Sequence, residues 1–208
     1  MSNVINLPKM HREAELRAAS YEESDNTIEV VWTTGSTGRR VTWMEGEFDE
    51  ELVVDQRSVR LDRLNAGAPF LDTHQRFGLD SVIGSVVPGS ARIEAGKGIC
   101  RVMLSKAEGA LDRVARIIEG TVKNVSVGYR IWAVEKKERD GSVPLHRVID
   151  WEPWEISAVP VPFDAGAQIR SGDEHGLFSC RVDMALADMN TTRRLRMQMQ
   201  QRHMQLVR

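Results

Sequence analysis

Apolar and polar positions alternate in short runs along most of this chain, the pattern of half-buried strands. Residues 28–34 (IEVVWTT) read as one strand. The Gly35-Ser36-Thr37-Gly38 run supplies turn chemistry, and residues 40–48 (RVTWMEGEF) read as the return strand of a hairpin. Residues 58–64 predict a helical turn and residues 69–73 an extended segment. Residues 81–87 and 91–94, parted by Pro88-Gly89, read as short strands, and so do residues 99–104 after the Gly96-Lys97-Gly98 turn. At Ser105 the period changes. Ser105-Lys106-Ala107-Glu108 matches a capping box, Leu111, Val114, Ala115 and Ile118 follow at helical spacing, and Gly120 ends the run. Strand character returns over residues 125–134 (VSVGYRIWAV), a charged hairpin tip follows at 136–142, and residues 145–149 and 154–159 read as two further strands.

The flanks differ from this middle. Residues 1–26 are polar, with a short helix predicted over 10–19; after Arg170 a linker-like SGDEHG run leads into a Met/Gln/Arg-rich stretch of helical character over 184–207. The expected organisation is a polar N-terminal extension (1–26), one domain (27–170), and a linker with a C-terminal tail (171–208). Many short strands, one good helix and no regular strand–helix alternation predict an α+β, β-barrel-like domain.

Composition changes this picture little. With 208 residues, 41% of them hydrophobic, the chain can bury a core without disulfides or metals. The formal net charge of -2 gives no general attraction to nucleic acid or anionic lipid. Five arginines and no acid lie between Thr191 and Arg208, but no aromatic is interleaved there for base stacking, so nucleic acid is not an expected partner. Cys100 sits in an apolar GICRVML run and reads as a buried, inert thiol. Cys180 falls in the polar, linker-like stretch, and no disulfide is expected. The N-terminal residues lack an apolar signal core and no run approaches membrane-spanning length, so a cytosolic protein is expected.

Three segments carry candidate chemistry. His74 ends the apolar APFLDTH run, where a ring could project from a rigid element. Ser126, in KNVSVGY, alternates with Val125 and Val127, so it should face away from them, and Gly128 leaves its face open to an approaching backbone. Glu155 is a lone acid in an apolar strand, WEISAV, with Arg147 or Arg130 as a simple structural partner. A serine hydroxyl needs a base within hydrogen-bond reach to act as a nucleophile, and an imidazole base needs a carboxylate or similar acceptor to fix its tautomer. Taken singly, each of the three is more often a structural residue. Asp72 and His74 lack a second pair at metal-ligand spacing, so neither metal nor organic cofactor is expected.

Taken in order, these segments resemble the phage prohead (capsid maturation) protease family, itself similar to the herpesvirus assemblins. The resemblance rests on LDTH at 71–74, IGSV at 83–86, SVGY at 126–129 and WEISAVPVPFDAGA at 154–167, with a helix before the serine strand, and it covers roughly residues 28–170. It implies an assemblin-type fold and a serine endopeptidase with Ser126 as nucleophile, His74 as general base and Glu155 orienting the histidine. Asp150 and, more weakly, His146 are rivals for the third position. The arginine pair that assemblins carry after the third segment has no counterpart in VPFDAGA. Implied partners are a capsid-protein precursor and scaffold, with self-cleavage and a homodimer also implied, inside the assembling prohead in the bacterial cytoplasm. The alternative is a catalytically inactive structural or scaffolding protein on the same fold.

Overall fold

The computed structural model describes residues 3–7, 10–16, 20–42, 45–160 and 178–184. Twelve strands join in one mixed sheet: β1 (Asn3–Leu7), β2 (Met10–Leu16), β3 (Thr27–Thr33), β4 (Gly38–Thr42), β5 (Gly46–Leu52), β6 (Pro69–Asp72), β7 (Val82–Val86), β8 (Arg92–Glu94), β9 (Lys97–Leu104), β10 (Asn124–Lys137), β11 (Leu145–Val159) and β12 (Phe178–Met184). Two short α-helices, α1 (Asp62–Asn65) and α2 (Leu111–Ile118), and two 3₁₀ turns, Leu79–Ser81 and Glu108–Ala110, accompany the strands. The sheet runs β1-β12-β10-β2-β3-β9-β7-β6-β11-β5-β4, with β8 on β9 and a further pairing between β10 and β11. As a whole the sheet is open, with free ends at β1 and β4, where a β-barrel-like domain was expected. Most pairings are antiparallel; β12 on β10, and β5 and β6 on β11, are parallel.

Long hairpin strands β10 and β11 organise the sheet. One half of β10, residues 124–129, faces β2, while residues 133–136 face β12. On β11 the two halves meet β6 and β5. Residues 145–159 thus form one strand where two were expected. Pro153 lacks the N–H that a regular strand would use, and β11 accommodates it with a bulge: Gly128 pairs with Glu155 and Tyr129 with Pro153, leaving Trp154 as the extra residue.

The core lies along this hairpin. Trp151 makes edge contacts with Trp32 and Tyr129, at centroid distances of 6.0 and 5.6 Å, over buried Val30, Val102, Val127 and Ile156. Gly98 is glycine because Trp32 fills its space; a Cβ there would come within 2.5 Å of the indole. A second polar core lies between β4, β5 and β10. The Tyr129 hydroxyl donates to Glu50 at 2.5 Å and accepts from the Arg40 guanidinium at 2.9 Å, with all three side chains buried.

Several local expectations are revised. Strand β4 pairs with β5, while β3 pairs with β9 and β2, so residues 28–34 and 40–48 do not form a hairpin. The predicted helix over 10–19 is strand β2, because the non-local edge of β10 overrides a local helical preference. Ser105 accepts from the Ala107 N–H at 3.2 Å, making a turn; the α-helix starts only at Leu111, after a 3₁₀ turn over Glu108–Ala110. Cys180 is buried in β12, where a linker was expected. The predicted helical character over 184–207 falls almost entirely outside the described residues.

Candidate functional site

The site forms where β6 meets β11. Strand β6 ends at Asp72, and the chain turns through two successive left-handed residues, Thr73 (φ 47°) and His74 (φ 60°). Neither is glycine, and such a backbone costs about 1–2 kcal/mol per residue. Three backbone hydrogen bonds hold it: Thr73 N–H to the Ala158 carbonyl (3.0 Å), Gln75 N–H to the Asp72 carbonyl (2.9 Å) and His74 N–H to Ser157 Oγ (3.1 Å). Strain fixed this firmly concentrates at positions with a task.

The side chains continue the network. Ser157 Oγ donates to Glu155 Oε2 at 2.6 Å, and Glu155 Oε1 lies 2.7 Å from His74 Nδ1. Glu155 and Ser157 are wholly buried, and the His74 side chain is 23% exposed. Ser157 therefore binds the backbone of the strained turn with one side of its hydroxyl and the carboxylate with the other. Behind Glu155, the missing side chain of Gly128 supplies the space. A Cβ at Gly128 would stand 3.0 Å from Glu155 Cδ and 2.9 Å from Trp154 Nε1, and closer still to Oε1. This overturns the reading that Gly128 keeps a face open to a substrate backbone: the carboxylate fills that face. Over Trp154, the Arg76 guanidinium lies 4.6 Å from the ring centroid.

Ser126 sits one register step away, paired with Ser157 on β11 and with Glu13 on β2. It is buried, like Val125 and Val127 on either side, so β10 is covered on both faces here. Among the described residues no hydrogen bond joins the Ser126 and His74 side chains. The rivals for the third position lie elsewhere. Asp150 accepts two hydrogen bonds from Arg60, both 2.7 Å, and His146 stacks on Phe48 with centroids 4.0 Å apart. Arg147 pairs with Glu51 and Glu135, so the partner of Glu155 is His74 and not that arginine. Residues 161–167, the VPFDAGA stretch, lie outside the described residues. Among the described residues no cluster of three or more His, Cys, Asp or Glu side chains is placed to hold a metal ion.

The role of Ser157 and the left-handed backbone at Thr73 and His74 escaped the sequence reading. Pro153 inside an apolar run was the one signal of a bulge there, and so of a change in which face Glu155 occupies.

No family profile matches the chain, and no solved structure matches it either. Over 126 residues, 60% of this chain, it is 32% identical to the major capsid protein of Halomonas phage phiHAP-1. The chain is similar to a phage capsid protein. The match takes in 21% of that relative, so the chain spans about a fifth of its length. The finding overturns the expectation of a serine endopeptidase. The relative is named for a structural role, and none of the comparisons points to a protease. No helix among the described residues is long and apolar enough to cross a membrane.

Proposed function

We propose that this chain is a structural protein of phage capsid assembly, acting within the assembling virion alongside capsid subunits or their scaffold. The observation that carries the reading is the similarity to a major capsid protein over 126 residues. The arrangement around His74 supports a structural use of the site residues. Glu155, Ser157 and His74 form a buried clasp that pins the strained turn after β6 onto the end of β11, and Ser126 packs beside it. Buried polar networks of this kind specify one arrangement among several that an apolar core would permit. The assemblin-like aspect of the fold finds support in the circuit of pairings β10-β2-β3-β9-β7-β6-β11, which returns to β10 through the hairpin.

The test is co-expression of the chain with the capsid and scaffold proteins encoded beside it, followed by sedimentation of particles and intact-mass measurement. The expected result is co-sedimentation of the chain with shells and identical masses for all components whether Ser126 is present or replaced by alanine. Absence of the chain from particles, or trimming that disappears in Ser126→Ala, would overturn the structural reading.

A further inference from the structure

The loop between β6 and β7 turns its apolar residues outward. Residues 75–80 (QRFGLD) are all exposed, and within them Phe77 is 96% and Leu79 89% exposed, the two most exposed large apolar side chains among the described residues. Gly78 between them adopts φ 102°, with open space where a side chain would stand, so the pair sits at the tip of a projecting turn. Val82, just beyond the loop, and Leu111, at the start of α2, are exposed as well. Both ends of the loop are fastened. At its start stand the clasp of His74, Glu155 and Ser157 and the stack of Arg76 on Trp154. At its far end Ser81 Oγ donates to the Gly78 carbonyl and the Arg113 guanidinium to the Asp80 carbonyl, both at 2.7 Å. Apolar residues scattered singly over a surface need no explanation; a neighbouring pair held in water by a fastened loop does.

We infer that the Phe77–Leu79 tip is an interaction surface that seats in an apolar socket on a capsid subunit. The class of partner rests on the proposed capsid role: in the phiHAP-1 relative the matched part occupies 21% of a longer capsid chain. The shape of the contact follows from the loop itself. A projecting tip needs a concave partner, and two apolar groups flanked by Arg76 and Asp80 call for a dry socket with a polar rim. Because both loop ends are already fastened, docking orders little further chain, and two side chains can then carry much of the affinity. The strained turn at Thr73 and His74 gains a task in this arrangement, since it sets the direction in which the loop leaves β6.

The test uses the full chain and shells assembled from the capsid protein encoded beside it. Phe77→Ser combined with Leu79→Ser removes the apolar surface of the tip. Both side chains are almost wholly in water, so the urea midpoint should not change. The fraction of chain sedimenting with shells should fall about tenfold or more. A benzophenone carried on Asp80→Cys, beside the intact tip, identifies the partner; the native cysteines, Cys100 and Cys180, are both buried. On irradiation it should cross-link to the capsid subunit, with a yield about tenfold or more above that from Ser142→Cys, an exposed position between β10 and β11. Wild-type chain in the shells with the double serine variant retained equally would overturn the inference and leave the capsid role standing. So would cross-links to a second copy of the chain, or equal yields from the two cysteines. Wild-type chain absent from the shells would sink the capsid role itself, and the inference with it.

Discussion

Replacing Gly128 by alanine tests the clasp directly. The added methyl would stand 2.9 Å from Trp154 Nε1 and 3.0 Å from Glu155 Cδ, against an ordinary separation near 3.4 Å or more, and Glu155 Oε1 is nearer still. The carboxylate cannot swing aside, because one oxygen is held by His74 and the other by Ser157. Overpacking a dense core costs roughly 1–3 kcal/mol. Displacing the carboxylate also weakens hydrogen bonds to a charged group, each contributing about 1.5–3 kcal/mol. The sum is about 3–5 kcal/mol, a large share of the ~5–15 kcal/mol that usually separates folded from unfolded chains. In urea, with a slope of about 2–3 kcal/mol/M, the midpoint should fall by roughly 1–2 M with the slope unchanged. The cause is checked by a double-mutant cycle with Glu155→Ala. Removing the carboxylate is itself destabilising, but in its absence Gly128→Ala should cost clearly less than in the wild type, because the nearest obstacle is gone and only the Trp154 indole remains in the way. A Gly128→Ala protein within about 1 kcal/mol of the wild type, or strictly additive penalties in the cycle, would refute the reasoning.

Tyr129→Phe removes a hydroxyl bonded to both Glu50 and Arg40 inside the core, and should cost about 1.5–3 kcal/mol in the same assay with the fold retained by circular dichroism. His146 is held below its ordinary pKa of 6.5, first by burial and then by Lys136, against the opposing pull of Glu45 and Glu50. The unfolded chain then binds the proton more readily than the folded one, so this group's contribution is present above pH 6.5 and lost as pH falls below it. Urea midpoints between pH 7.5 and 5.5 should therefore fall less in His146→Phe than in the wild type, and parallel losses would count against it. Burial pushes the Cys100 thiol well above its usual range and the Cys180 thiol up to about 11, so a thiol reagent at pH 8 should leave the native chain unmodified while labelling both after unfolding in urea.

Much of the middle of the fold was legible in the sequence. Alternation located β3, β6, β7 and β9, and helical spacing located α2, because these elements bury one face against a continuous core. What alternation could not supply was pairing. Residues 40–48 follow residues 28–34 through good turn chemistry, yet β4 pairs with β5 and β3 with β9; which edges meet is decided by contacts far apart in sequence. The polar flank around β2 failed for a related reason: its main pairing partner, β10, lies more than a hundred residues away. At the site, the family resemblance implied Glu155 as the residue orienting His74, and the two side chains lie 2.7 Å apart. Ser157 stayed hidden because a serine in an apolar strand carries no signal until the turn it holds is visible. The function read from the same motifs was corrected by similarity to a capsid protein, since an identical set of polar residues can serve as a clasp.

The pairing of β1 with β12 and of β2 with β10 has a consequence for synthesis. Residues 3–7 and 10–16 must wait for partners that emerge more than a hundred residues later. Until β10 is made, β2 has only its two pairs with β3, and until β12 is made, β1 lacks its described partner. Such sequence-distant closure slows folding and prolongs the exposure of open sheet edges. Nascent chains of this protein should therefore depend on chaperones until translation has passed residue 184, and a stall before that point should leave them prone to aggregate.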